Sequence, residues 1–272
     1  MIEGREIIDL IEGIEIIDLI EGIDLIEGIE IIDLIDFLKQ NNMGRFFTGR
    51  TKMADVVSMN HSLILAMPRF GIALGFGEQS VQEICARYGL PVDFVLLIFN
   101  VYTFDDYLPD GDDLMRTDFS PLVPYLEASH RYYLSERLPH IERHLLHVAG
   151  SAGERYGSIL KQFFEDYRKE VVEHFESEER EVFPYLEELM KGVRGTRPMS
   201  EHFADNHTDL VDKLGDLTQI LYKYIPCEGF EEELNELVFA IMQLSADLEK
   251  HALIEERILL PYVELLERRQ EE

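Results

Sequence analysis

The most constraining feature of this sequence is a sixteen-residue pattern that occurs twice, 77 residues apart. His174 opens the first copy, followed by Glu178, Glu179, Arg180, Pro184, Tyr185, Leu186, Glu187 and Leu189; His251 opens the second, followed by Glu255, Glu256, Arg257, Pro261, Tyr262, Val263, Glu264 and Leu266. Each copy closes a long stretch of helical periodicity. Residues i and i+4 of a helix share a face, so each copy aims one imidazole and one carboxylate at the same point. His130 and His207 are also 77 residues apart, so the chain repeats a histidine followed, 44 residues later, by a histidine–glutamate pair.

From Pro121 onward the apolar spacing predicts four helices. The first face runs through Leu126, His130, Leu134, Leu138, Ile141, Leu145 and Val148; the second through Ile159, Phe163, Tyr167, Val171, His174, Glu178, Val182 and Tyr185. The third joins His207 to Leu210, Leu214, Leu217 and Leu221, and the fourth runs from about Glu231 through Leu244, Leu248, His251 and Glu255 to Leu266. Breaks fall at Gly150–Gly153, Gly192–Gly195 and Pro226–Gly229. The expected fold is all-α, an up-down-up-down four-helix bundle over residues 118–268.

In antiparallel helices, residues equidistant from the turn lie at one height, because each residue adds the same rise. The midpoints of His130–His174, His174–His207 and His207–His251 all fall at or beside these breaks. Four histidines should therefore meet at one level, with Glu178 and Glu255. Burying that many polar groups without a cation costs roughly 1–3 kcal/mol for each unsatisfied group, and more for ions. A metal removes the cost, and six donors exceed what one tetrahedral zinc takes. They suit two first-row ions, iron or manganese, with open positions for an oxo or hydroxo bridge and a small exogenous molecule. Glu179 and Glu256, one residue further round the helix, are expected to leave the site intact if replaced. His202, His140, His144, His147 and His61 fit the geometry less well.

Upstream, residues 3–35 form a near-perfect acidic repeat too short to build a solenoid core. Residues 1–52 are read as a low-complexity repeat and leader outside the core, either a recent duplication or an extended reading frame whose natural start is Met43 or Met53; a chain beginning at Met53 is expected to keep its fold and metal. Residues 53–107 read as a small helical N-terminal domain, with Ser80 as an N-cap, Gly89 ending that helix and Pro91 opening the next. Residues 108–121 read as a linker. The net charge of −29 argues against nucleic acid or an anionic membrane as partner, and two cysteines make no disulfide framework. The expectation is a soluble cytoplasmic protein.

At the twin motif the sequence resembles the hemerythrin-like proteins, and within them the Repair of Iron Centres family. Oxygen-carrying hemerythrins use five histidines, one glutamate and one aspartate, whereas four histidines with two His-x-x-x-Glu pairs match the repair family. The resemblance implies a di-iron centre of two non-heme irons, with His130, His174, His207 and His251 as terminal ligands and Glu178 and Glu255 as bridging carboxylates. It implies a cytoplasmic protein restoring iron–sulfur clusters damaged by nitrosative or oxidative stress, with damaged iron–sulfur proteins and a diatomic molecule, nitric oxide or oxygen, as partners. On this resemblance it is expected to be an iron-binding repair protein more than a conventional enzyme; the alternative is an oxygen or nitric oxide binding or sensing protein. The segment from Ser80 to Phe99 resembles the family's small N-terminal domain, which commonly carries a vicinal cysteine pair; here Cys85 stands alone.

Overall fold

A computed structural model describes residues 46–193, 207–226 and 228–271. The acidic repeat, Met43, His202 and Cys227 lie outside them. Residues 47–272 belong to one compact unit.

Its first part is a set of short helices: α1 (Met53–Met59), α2 (Leu63–Ala66) running into a 3₁₀ turn (Met67–Phe70), α3 (Val81–Tyr88) and α4 (Val92–Thr103). A capping box explains where α3 starts: the Ser80 hydroxyl accepts from the Glu83 N–H, and the Ser80 N–H donates to Glu83 Oε2 at 2.8 Å. Gly89, at φ 66°, closes it in the left-handed region. Residues 108–121 are not a plain linker. Asp110 caps a short helix, α5 (Gly111–Arg116), by accepting from the Asp113 N–H at 2.7 Å, and Leu114 is buried.

Four long helical stretches follow. The first is α6 (Leu122–Tyr132), a π turn (Tyr133–Arg137) and α7 (Leu138–Ser151). The second is α8 (Glu154–Ser177), a π turn (Glu178–Val182) and α9 (Phe183–Met190). The third is α10 (His207–Tyr224). The fourth is α11 (Glu231–Ile254), a π turn (Glu255–Leu259) and α12 (Leu260–Glu271). Among them α7 packs on α8, α8 on α10, α10 on α11 and α11 back on α7, which closes a ring of four. Gly157 sits where the first two come closest: a Cβ there would lie 2.2 Å from the Ala149 carbonyl oxygen.

The three π turns share one cause. Each ends just before a proline, at Pro139, Pro184 and Pro261. A proline inside a helix has no N–H to donate, and its ring collides with the carbonyl four residues back. Widening the preceding turn accommodates it: the N–H of Leu138, Phe183 and Leu260 reaches five residues back, to the carbonyls of Tyr133, Glu178 and Glu255.

This corrects the expected faces. Inward positions step by five across the π turn, from Tyr133 to Leu138 and from Glu178 to Phe183, so Leu134, Val182 and Tyr185 are only half-buried. In α8 the core face is Gly157, Leu160, Phe164, Tyr167 and Val171, while Ile159 is 52% exposed. The phase there follows the close contact at Gly157, not the more apolar-looking Ile159–Phe163 row.

The buried apolar residues form two clusters. One joins the amino-terminal helices to the near end of the bundle, including Phe94, Phe99, Leu126, Phe183, Ile254 and Ile258. The other fills the far end, including Tyr133, Leu138, Phe164, Phe175, Leu217 and Leu248. Between them each of three long helices carries its buried polar residues: Ser129 and His130, Glu178, and Asp247, His251 and Glu255.

Candidate metal centre

His130 lies in the last turn of α6, His174 in the last turn of α8, His251 in the last turn of α11, and Glu178 and Glu255 each begin a π turn. Local α- and π-helical widening at functional sites is a recurring association. Here it begins only at each glutamate: up to that point the helix is α, with the Glu178 and Glu255 N–H bonded to the His174 and His251 carbonyls, which keeps the i and i+4 members of both motif copies on one face.

The structure brings His130, Glu178, His251 and Glu255 together, all buried, with one donor atom of each within 4.8 Å of the others. His130 Nε2 lies 3.3 Å from His251 Nε2 and 3.3 Å from Glu178 Oε2. The other oxygen, Glu178 Oε1, lies 3.2 Å from His174 Nε2. His251 Nε2 lies 3.3 Å from Glu255 Oε1. Donor atoms at right angles on one ion with bonds of about 2.1 Å stand about 3 Å apart, so these separations suit a shared cation. His207 is the first residue of α10, and its side chain lies outside the described residues. His140 and His144 meet edge-on on α7, with ring centroids 4.7 Å apart and planes at 65°, and are not part of the cluster.

Aromatic rings hold the imidazoles. His130 stacks on Phe175 at 4.0 Å and 10°, with Phe183 at 5.5 Å and 21°, and Tyr133 meets His251 edge-on at 5.7 Å. The cluster is therefore a buried nitrogen and oxygen donor set without sulfur, which suits borderline first-row cations better than copper(I) or calcium.

Two neighbours escaped the sequence reading. Glu179, expected to point away, has Oε1 3.0 Å from His130 Nδ1. One turn before His251, Asp247 is 3% exposed and pairs with Arg69 from the 3₁₀ turn; Tyr102 OH accepts from Arg69 Nη1 at 2.6 Å and donates to Asp247 Oδ1 at 3.0 Å. Burial opposes the charge on Arg69, but the phenols of Tyr102, Tyr133 and Tyr125 and the Asp247 carboxylate outweigh it and hold the guanidinium charged. Asp247 did carry a signal, four residues before His251 on the same face; Arg69 carried none.

Among the described residues no helix is long and apolar enough to cross a membrane. The chain is similar to the iron-sulfur cluster repair protein ScdA of Staphylococcus haemolyticus (strain JCSC1435), 21% identical over 187 residues that make up 67% of this chain and 83% of that protein. No solved structure matches it. The profile of the hemerythrin HHE cation binding domain matches residues 122–263, from the first residue of α6 into α12. With that match enclosing the whole buried cluster and covering more than half of the sequence, the chain belongs to the hemerythrin HHE cation-binding domain family.

Proposed function

We propose that this chain is a non-heme di-iron protein that takes part in repairing iron–sulfur clusters damaged by nitrosative or oxidative stress. The observation that carries the metal reading is Glu178, whose two oxygens face two different imidazoles, Oε2 toward His130 and Oε1 toward His174. A carboxylate placed that way suits a bridge between two ions. His130, His174, His207 and His251 would be the terminal ligands, with Glu178 and Glu255 bridging. Bound iron supplies one-electron redox chemistry and open positions for nitric oxide or oxygen.

The chain's own residues do the rest. Phe175, Phe183 and Tyr133 keep the imidazoles in fixed planes and exclude water from them. The acidic balance of the sequence favours cation capture and disfavours polyanionic partners. The repair role rests on the likeness to ScdA, whose clients would be damaged iron–sulfur proteins.

Two measurements test this reading. Metal analysis of protein purified under reducing conditions should find about two irons per chain. Iron-loaded protein added to an iron–sulfur enzyme inactivated by nitric oxide should restore it faster than equal free ferrous iron. Recovery no faster than free iron overturns repair, and a stable, reversible diatomic adduct would then assign a binding or sensing role.

A further inference from the structure

His130 is held on three sides besides the cluster it faces, and only one of those holds is a hydrogen bond. Phe175 and Phe183 set the plane of its ring, but stacking does not decide which nitrogen carries the hydrogen. That choice falls to the edge. Glu179 Oε1 lies 3.0 Å from Nδ1, and the geometry is that of a carboxylate reaching from the second long helix across to the first. Glu179 Oε1 is the nearer acceptor, 3.0 Å from Nδ1 against 3.3 Å between Nε2 and Glu178 Oε2, and a cation in the cluster would take the Nε2 lone pair, so Nδ1 is the nitrogen placed to donate. Nε2 is the atom that faces Glu178 and His251 at 3.3 Å.

We propose that Glu179 is a positioning residue for the metal centre, holding His130 by its Nδ1 edge so that Nε2 is turned toward the cluster. The role rests on the reading of His130 as a ligand. Glu178 and Glu179 then divide the work of the repeated Glu-Glu pair, the first turned inward at 6% side-chain exposure and the second at 44%, gripping a histidine from its solvent edge. A lone surface carboxylate–imidazole pair contributes little to stability. An outer carboxylate behind a ligating histidine fixes its tautomer and raises its basicity, and removing such a partner typically costs about 10–100-fold in metal affinity.

The test uses the full chain with Glu179→Ala, Glu179→Gln and His130→Ala. In ¹⁵N-labelled protein loaded with diamagnetic zinc(II), the His130 Nδ1–H should exchange slowly with solvent in wild type and Glu179→Gln, whose amide oxygen still accepts, and fast in Glu179→Ala. In a cobalt(II) titration followed by absorption, Glu179→Ala should bind about 10–100-fold more weakly, with affinity largely rescued in Glu179→Gln. Wild-type affinity and an unchanged Nδ1–H exchange rate in Glu179→Ala overturn the positioning role. Equal cobalt affinity in wild type and His130→Ala overturns the ligand reading itself, and the Glu179 role with it.

Discussion

Arg69 and Asp247 form an ion pair in which both side chains are 2% exposed, joining the 3₁₀ turn before α3 to the helix that carries His251. Removing one partner strands the other as a buried charge, a loss of roughly 3–5 kcal/mol, whereas replacing both by apolar residues of similar volume is close to neutral. Arg69→Met and Asp247→Leu should each lower the urea midpoint strongly. The double substitution should recover much of that loss. Additive losses would show that the two side chains do not act as a pair.

Metal should stabilise the fold through Glu178 and Glu255. A ligand that binds only the folded state adds about 2.7 kcal/mol at a hundred times its dissociation constant. Chelation should therefore lower the melting temperature of wild type. In Glu178→Ala and Glu255→Ala, iron per chain should drop and the melting temperature should become nearly indifferent to chelator, as differential scanning calorimetry can show.

Residues 47–51 make contacts that a chain cut at Met53 would lose. The Phe47 N–H donates to Asn100 Oδ1 at 2.9 Å, Asn100 Nδ2 donates to the Phe47 carbonyl at 3.3 Å, and Asn100 is buried. Gly49 and Thr51 carbonyls accept from Gln82 and Val81 at the start of α3. A chain beginning at Phe47 should match the full chain in stability. One beginning at Met53 strands the Asn100 amide and should lose about 1–3 kcal/mol by chemical denaturation.

Cys85 is fully buried, and burial pushes its thiol up to about 11 from an ordinary value of 9.0. The neutral thiol thus contributes stability that is complete below about pH 9 and is lost as pH rises through about 11, because the unfolded chain gives up its proton first. At pH 8 the native protein should leave Cys85 unlabelled by iodoacetamide, and denatured protein should label it, as peptide mass mapping would reveal. Rapid native labelling would reopen a thiol role for this helix.

Much of this was legible in the sequence. His130, Glu178, His251 and Glu255 meet because their spacing and phase are local properties of helices, and turns at Gly153 and Gly229 set their common height. The π turns were hidden, because those before Pro139 and Pro184 displace the core face by one residue while leaving an apolar residue at the naive position. Leu134 and Val182 were the decoys. Glu179 was misplaced for a related reason: its partner is on another helix, and nothing in an i, i+4 pattern reports a reach between helices. The Arg69–Asp247 pair is tertiary in the same sense.

The polar layer between the two apolar clusters also divides the bundle into regions of different local stability. One cluster continues into the amino-terminal helices; the other, around Leu138, Phe164, Leu217 and Leu248, is confined to the far end. Cooperative units of opening tend to follow contiguous buried contacts. Amide protons of α10 and the outer part of α7 should exchange through an opening that leaves α4 and α9 protected, and bound metal, lying on the seam, should slow that opening. The centre would then be a latch between two folding units as well as a place for chemistry, with its release set by how often the far unit breathes.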